Sequence, residues 1–362
     1  MFGKNISLTQ SRIDKYVSCQ FSYYCNYVLK LMDAGKAGFN FSDSGSFIHR
    51  ILEVFMKAVT DENGLRADVS FDEIRRLVIR ETERYVAEIN PGKKSLGKRL
   101  EHLFARLSRL AVAIALDLYR EFGDSDFVPA LFEARIGKDG IEAPTIELAD
   151  GSTVNIYGVV DRIDVFRRDD RVYIKVVDYK TGSKQFSFED IKKGLNTQLL
   201  LYLFAVCHSA SPLLREKLRV DADTPLLPAG ALYMSTAFSA IKLEEKKSEA
   251  DVLRLAGAEM KRSGILLDSD EVLDAVSRSH EKTLLAGITI KDDTKKGNAL
   301  ITEERLGTLE DELKETIRNI ALEMKSGSAV TCDPTEKDAP CTYCKMRMIC
   351  RVNAKNDTSD ID

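Results

Sequence analysis

The chain has 362 residues, of which 44% are hydrophobic and 30% are charged, a balance typical of a folded globular protein rather than a disordered one. Its 53 basic and 57 acidic residues give a formal net charge of −4, which excludes a protein that is basic throughout but not a local basic groove. Seven cysteines are a poor disulfide framework, and their clustering indicates a metal site in a reducing compartment.

No segment has the pattern of a signal peptide or a membrane span. Residues 1–5 lack the apolar core of a signal peptide. The longest apolar run, at 199–207, has nine residues, whereas a membrane span needs roughly 20. We therefore expect a soluble, cytoplasmic protein with no membrane partner.

Residues 1–126 are predicted to form a helical region that packs on the rest of the protein. Apolar residues recur there at helical spacing, and the Asn-Pro-Gly sequence at 90–92 separates the last two helical segments. The predicted helices cover residues 11–31, 44–55, 71–89 and 96–122.

Residues 127–330 change to the alternating pattern of strands and are predicted to form an α/β core. The predicted strands cover residues 130–135, 153–166, 172–179 and 228–234, and the predicted helices cover 197–210 and 302–325. A cysteine-rich segment follows at 331–355, and the polar tail at 356–362 is expected to be disordered.

Two acidic residues and one lysine stand out in the predicted strands. Asp178 and Lys180 are two residues apart and point to the same face, and a hairpin would bring Asp161 beside them. Their apolar flanks indicate internal strands, where two carboxylates on one face are costly to bury unless a cation lies between them. Mg²⁺ is the natural choice, since it prefers oxygen ligands. The alternative is a solvated hairpin with a surface salt bridge.

Three further side chains on predicted helices are candidate site residues. Gln198 and Tyr202 are spaced i, i+4 on an otherwise almost wholly apolar helix, which favours a site, although Tyr202 could be an ordinary core residue. On an earlier helix, His49 shares one side with Gly45 and Glu53. A lone histidine is more often structural than a ligand.

The order Gly-x-x-Asp at 158–161, Asp-Tyr-Lys at 178–180 and Gln-x-x-x-Tyr at 198–202 resembles the RecB-type branch of the PD-(D/E)xK nucleases. The segment at 45–53 resembles the upstream histidine motif of that branch. The resemblance implies a restriction-endonuclease-like α/β fold, with a mixed β-sheet flanked by helices, and bound Mg²⁺ or Mn²⁺. The implied metal ligands are His49, Asp161, Asp178 and the backbone carbonyl of Tyr179. The implied catalytic residues are Asp161, Asp178, Lys180, Gln198 and Tyr202.

Three cysteines near the C-terminus have the spacing of metal ligands, Cys341-x2-Cys344-x5-Cys350. Four ligands are the norm for zinc and for iron–sulfur clusters, so a fourth ligand must come from elsewhere. The candidates are Cys332, Cys25 and Cys19, and spacing alone favours Cys332.

The segments around Cys19 and at the C-terminus resemble the AddB nuclease-domain family, the C-terminal part of a longer helicase/deoxyribonuclease polypeptide. The resemblance implies that Cys19 joins the three C-terminal cysteines around a structural [4Fe–4S] cluster, with Gln20 in place of the usual proline. Ligand chemistry alone leaves a four-cysteine Zn²⁺ site as an alternative. The remaining cysteines, Cys25, Cys207 and Cys332, would then be ordinary thiols.

A basic strip precedes and enters the fourth predicted helix, and it faces only one acidic residue, Glu101. Such a strip can neutralise DNA phosphates, although a solvated helix face is the usual explanation of a charge run. The strip consists of Lys93, Lys94, Lys98, Arg99, Arg106 and Arg109.

Together the motifs predict a metal-dependent DNA exonuclease domain. The resemblance implies an AddA-type helicase–nuclease subunit as partner and the processing of double-strand break ends for recombinational repair as the role. The alternatives are a stand-alone RecB-family or CRISPR-associated exonuclease, and a DNA-binding or scaffold module that keeps the fold without cleaving.

Overall fold

The computed structural model describes residues 3–31, 41–61, 64–66, 68–90, 97–138, 140–180, 182, 185–236, 248–258, 260–292, 294–336, 339–350 and 352. The predicted tail at 356–362 and two residues of the basic strip, Lys93 and Lys94, lie outside these ranges. No helix in the described ranges is long and apolar enough to cross a membrane.

Twelve α-helices are present in the described residues. They are α1 Gln10–Ser18, α2 Gln20–Tyr23, α3 Phe41–Val59, α4 Phe71–Ile89, α5 Lys98–Asp124, α6 Phe188–Lys192, α7 Gln198–His208, α8 Pro212–Leu218, α9 Glu249–Ala258, α10 Asp270–Val276, α11 Glu303–Ser326 and α12 Arg347–Cys350. A π-helical turn at Tyr24–Val28 extends α2, and a 3₁₀ turn at Pro340–Tyr343 precedes α12.

The same residues contain twelve strands. They are β1 Asn5–Thr9, β2 Thr60–Asp61, β3 Gly64–Leu65, β4 Val128–Ile136, β5 Thr145–Glu147, β6 Thr153–Arg168, β7 Arg171–Lys180, β8 Leu226–Ser235, β9 Arg262–Leu267, β10 Thr289–Lys291, β11 Thr294–Lys296 and β12 Leu300–Ile301.

An eight-stranded mixed sheet organises the fold, and the 16-residue strand β6 is its longest member. The first part of β6 pairs with β1 in parallel and with β5 in antiparallel orientation. Its second part pairs in antiparallel orientation with β4 and β7. The sheet then continues through β8, β9 and β12, with β7–β8 and β9–β12 parallel.

Helices cover both faces of the sheet, as the fold class predicted, because alternate residues of the buried strands are apolar on both sides. On β7, Ile174 and Val176 pack in the layer formed with α1, α7, α8 and α11. Tyr173 and Val177 pack in the opposite layer, with α3, α4, α5, α9 and α10. The predicted α/β fold with a mixed sheet flanked by helices is therefore confirmed.

Local differences from the predicted elements have physical causes. The helix predicted over 11–31 is interrupted at Cys19, whose backbone is extended, with φ of −168°. Strand β1 was not predicted, since only its pairing with residues 153–157 of β6 completes it. By contrast, α4 spans the predicted range 71–89, and its N-cap Ser70 accepts a hydrogen bond from the Glu73 amide.

A network of buried charges joins α5 to the sheet. Glu121 on α5 accepts hydrogen bonds from Arg162 on β6, at 2.8 Å, and from Arg262 on β9, at 2.5 Å. Its carboxylate also lies 3.5 Å from the ammonium of Lys175 on β7. Burial opposes ionisation of Glu121, but the three cations outweigh it and hold the pKa of the carboxyl well below its usual range. One ionised carboxylate therefore ties three strands to one helix.

Replacing Glu121 with alanine removes the shared acceptor of these three cations. Arg162 and Lys175 then share only Asp164, and Arg262 keeps only Asp117, so one buried positive charge is uncompensated. Breaking a buried ion pair in this way costs about 3–5 kcal/mol, so we expect a decrease of that size in the free energy of unfolding, measured by urea denaturation. The control is exposed Glu101 on the same helix, where Glu101→Ala should change the free energy by less than about 0.5 kcal/mol. A Glu121→Ala variant as stable as the wild type would refute the importance of the network.

Candidate active site

Two buried carboxylates lie side by side where β7 ends. Asp161 on β6 and Asp178 on β7 are 7% and 3% exposed, so both are internal, as their apolar flanks predicted. The Asp161 carboxylate accepts a hydrogen bond of 2.7 Å from the backbone N–H of Tyr179. This bond fixes Asp161 against the strand that carries Asp178.

Asp178 is held by two polar side chains. The Gln198 amide of α7 donates a hydrogen bond of 2.6 Å to one of its oxygens, and the ammonium of Lys180 pairs with the other. Burial and the neighbouring Asp161 charge raise the pKa of Asp178 to about 6, although Lys180 opposes this. The charge of Asp161 thus adds to the effect of burial in opposing ionisation of Asp178, and a cation between the two carboxylates would reverse that effect.

His49 of α3 completes this cluster from the opposite helical layer. Its Nδ1 lies 3.3 Å from Asp161 and 3.7 Å from Glu133, and its Nε2 lies 3.1 Å from the carbonyl oxygen of Tyr179. Burial lowers the pKa of His49, but the hydrogen bonds and charges of the two acids outweigh it and raise that pKa to about 10. The ring therefore faces oxygen atoms on both sides.

Tyr202 of α7 fills a space that a glycine leaves open on β6. Its buried hydroxyl hydrogen-bonds with the backbone of Val159. A Cβ atom at Gly158 would lie 1.7 Å from that hydroxyl oxygen, so a larger residue there would displace Tyr202. Packing against Tyr202 thus explains why the Gly-x-x-Asp motif, which ends at Asp161, begins with glycine. As the i, i+4 spacing predicted, Gln198 and Tyr202 face the same strands.

Sequence reasoning missed Glu133 on β4. Phe132 pairs with Arg162 and Ala134 with Val160, so the register brings Glu133 opposite Asp161. Its backbone is in the left-handed region, with φ of +48°, which residues other than glycine rarely adopt. The only signal in the sequence is an acidic residue inside the strand predicted at 130–135. The β4–β6 register that brings this residue to Asp161 depends on tertiary structure, so local patterns do not predict it.

The arrangement has the chemistry of a site for a hard divalent cation. One ligand atom each from His49, Glu133 and Asp161 can be chosen so that all lie within 4.8 Å of one another. An open groove of about 850 Å³ is lined in part by His49 and Glu133, so a substrate can reach these two groups. The groove is lined by Gly45, Ser46, His49, Arg50, Glu53, Phe132, Glu133 and Arg135.

Most of the cysteines gather at a second place, between the start of the chain and its C-terminal segment. The sulfur of Cys332 lies 3.4 Å from that of Cys341 and also hydrogen-bonds with Cys19. Buried Cys25 interacts electrostatically with Cys19, Cys344 and Cys350. Cys25 and Cys332, predicted to be ordinary thiols, therefore lie among the four predicted ligands.

Gln20, the residue after Cys19, links these two segments. Its side-chain oxygen accepts hydrogen bonds from the Ser328 hydroxyl, at 2.5 Å, and from the Val330 amide, at 3.1 Å. The Phe21 amide also donates to the Val330 carbonyl, at 3.0 Å. These bonds bring the residues that follow Cys19 next to those that precede Cys332.

The described part of the basic strip lies on the exposed side of α5. Apolar residues of the same helix, such as Phe104 and Leu107, are buried against the core. The exposed cations leave room for a polyanion to approach from solvent. They are Lys98, Arg99, Arg106 and Arg109.

Comparison with known proteins agrees with this geometry. Residues 7–351 match the model of the PD-(D/E)XK nuclease superfamily. The chain is 27% identical over 372 residues to an ATP-dependent helicase/deoxyribonuclease subunit of Clostridium acetobutylicum, covering 99% of this chain and 31% of that protein. The corresponding proteins of Clostridioides difficile and Clostridium novyi are 28% and 29% identical, over 97% and 99% of this chain and 30% and 31% of theirs.

The chain thus spans about a third of the length of these curated relatives. The family match covers the strands that carry Asp161 and Asp178 as well as the helices that carry His49 and Gln198. It also reaches the C-terminal cysteines. The chain therefore belongs to the PD-(D/E)XK nuclease superfamily.

Proposed function

We propose that this chain is a metal-dependent DNA exonuclease domain that hydrolyses phosphodiester bonds as part of an AddAB-type helicase–nuclease. One observation carries the proposal. Asp161, Asp178 and Lys180 converge with His49, which itself lines an open groove, in a fold of a nuclease superfamily. The burial of Asp161 and Asp178 argues against the alternative of a solvated hairpin with a surface salt bridge.

The donor set fits Mg²⁺ or Mn²⁺, because it consists mainly of oxygen atoms and includes two buried carboxylates that repel each other. We assign as ligands His49, Asp161, Asp178 and the carbonyl of Tyr179, and we add Glu133 to this set. When bound, the metal ion would stabilise negative charge on the phosphate and lower the pKa of a bound water molecule.

The other site residues act by position and charge. Lys180 is one-quarter exposed and pairs with Asp178, so its ammonium can hold a water molecule directed at the phosphate. Gln198 donates to Asp178 and thereby orients that carboxylate. Tyr202 bonds to the β6 backbone and supports the strand that carries Asp161.

Substrate, partner and location follow from the relatives, which are named as subunits of an ATP-dependent helicase/deoxyribonuclease. We infer that the substrate is DNA and that the partner is an AddA-type helicase–nuclease subunit in a bacterial cytoplasm. The complex would process the ends of double-strand breaks for recombinational repair. The exposed cations of α5, such as Lys98 and Arg99, would bind backbone phosphates.

Substitution of Asp178 by asparagine tests the active site. The change keeps the shape of the side chain and removes its charge, so we expect Mg²⁺-dependent digestion of linear DNA to fall by about 100-fold or more. Single- and double-stranded substrates are assayed with and without the AddA-type partner. The matched control is Asp169→Asn, at an exposed position in the turn of the same hairpin.

Equal digestion by the Asp178→Asn variant and the wild type would refute this site. A wild type that binds DNA and cleaves none, even with its partner, would favour the scaffold module. Full activity without any partner would favour a stand-alone exonuclease of the RecB or CRISPR-associated kind.

Substitution of Glu133 by glutamine tests the ligand that sequence reasoning missed. Loss of one carboxylate from the donor set weakens the binding of a hard cation, so we expect the Mg²⁺ concentration for half-maximal cleavage to rise about tenfold. Exposed Glu147 on β5 is the control, and Glu147→Gln should leave that concentration unchanged. An unchanged value for Glu133→Gln would remove Glu133 from the ligand set.

We propose further that Cys341, Cys344 and Cys350 hold a structural [4Fe–4S] cluster, with Cys19 as the fourth ligand and Zn²⁺ as the alternative metal. The contacts of Gln20 bring the chain segment around Cys19 to the C-terminal segment, which supports this assignment. Cys332 remains the competing fourth ligand, because its sulfur lies beside that of Cys341.

Serine variants of the cysteines distinguish the two candidates for the fourth ligand. We expect Cys19→Ser to lose bound metal and visible absorbance, Cys332→Ser to keep both, and Cys344→Ser to fold poorly. Absorbance spectra and iron and zinc analysis measure the outcome, and Cys207→Ser on α7 is the control. The reverse result for the first two variants would assign Cys332, and a wild type without iron or zinc would contradict the proposed cluster.

A further inference from the structure

The backbone of Tyr179 contacts two of the assigned metal ligands. Its N–H donates to Asp161 at 2.7 Å, and its carbonyl oxygen lies 3.1 Å from Nε2 of His49. The same carbonyl is itself an assigned ligand. A small displacement of this one residue would therefore change three ligand positions together.

The side chain of Tyr179 points to the other face of the sheet, into the buried charge network. Its hydroxyl accepts a hydrogen bond of 3.2 Å from Nη1 of Arg162. The other nitrogens of that guanidinium are held by Glu121 at 2.8 Å and by Asp164 at 2.9 Å. Arg162 is fully buried and Tyr179 is 4% exposed, so neither side chain has room to move.

We propose that Tyr179 is a positioning residue, through which the network of Arg162, Glu121 and Asp164 fixes the geometry of the metal site. This inference rests on the proposed nuclease function. It assigns a role to buried charges that the proposed hydrolysis does not itself use. The contacts of Arg162 support the proposal, because the guanidinium that bonds to the Tyr179 hydroxyl is also held by Glu121 and Asp164.

The order of residues along the two strands strengthens the argument. Arg162 directly follows Asp161, and Tyr179 directly follows Asp178, so on each strand a site residue on one face has a network residue on the other. Arg162 pairs with Val177 in the β6–β7 register, next to Asp178. The Arg162–Tyr179 bond therefore fastens the two strands together at the point where the carboxylates face each other.

Substitution of Tyr179 by phenylalanine tests the inference, because it removes only the hydroxyl. We expect the metal concentration for half-maximal cleavage to rise about tenfold, with a smaller fall in the rate at saturating metal. Direct Mn²⁺ binding, measured by calorimetry without DNA, should weaken by a similar factor. Tyr173→Phe is the matched control, since Tyr173 lies on the same strand and face and its hydroxyl bonds to Glu271 at 3.1 Å.

A purely structural role predicts a different pattern. Both tyrosine variants would then lower the unfolding temperature, and neither would change Mn²⁺ binding; that outcome overturns the inference. Equal weakening of Mn²⁺ binding in the two variants also overturns it. The calorimetric readout does not depend on catalysis, so a wild type that binds Mn²⁺ and cleaves no DNA would refute the nuclease proposal, while the two tyrosine variants would still decide this inference.

Discussion

Ionised groups inside a protein need an opposite charge within reach, and the fold is arranged around this constraint at the β6–β7 hairpin. On the face toward α5, Glu121 and Asp164 are matched by Arg162 and Lys175, all buried and in contact. Removal of any one leaves an excess of buried charge, so this balanced group holds the helix and strands in one arrangement. Its stability comes entirely from the chain's own residues.

The opposite face of the same hairpin has no such balance. Asp161 and Asp178 lie together with Glu133, while Lys180 pairs with only one of them and His49 must be protonated to offset the others. Burial and, after it, the neighbouring charge of Asp161 raise the pKa of Asp178. Carboxylates gathered beside a groove that is open to solvent are the kind of ligands that a hard divalent cation prefers.

Local patterns in the sequence predicted much of this site. Strand alternation placed Asp178 and Lys180 on one face, and helical spacing placed Gln198 and Tyr202 on one helix face. Only the family resemblance joined the two pairs, and in the structure Gln198 bonds to Asp178. Glu133 was beyond that reasoning, because it depends on the register between β4 and β6 and on an unusual backbone conformation. The charge network was missed for a similar reason. Glu121 lies 41 residues before Arg162, and nothing local indicates that the two meet.

The thiol site and the metal site are connected through strand β6. Cys19 ends helix α1, which follows β1 without a loop, and β1 pairs with residues 153–157 of β6. Asp161 lies only four residues further along that strand. Because the bonds of Gln20 hold the segment after Cys19 to the C-terminal segment, ligation of cysteines there would also fix β1 against β6. A metal cluster bound at these cysteines would thus support the strand that carries Asp161, without taking part in the proposed hydrolysis.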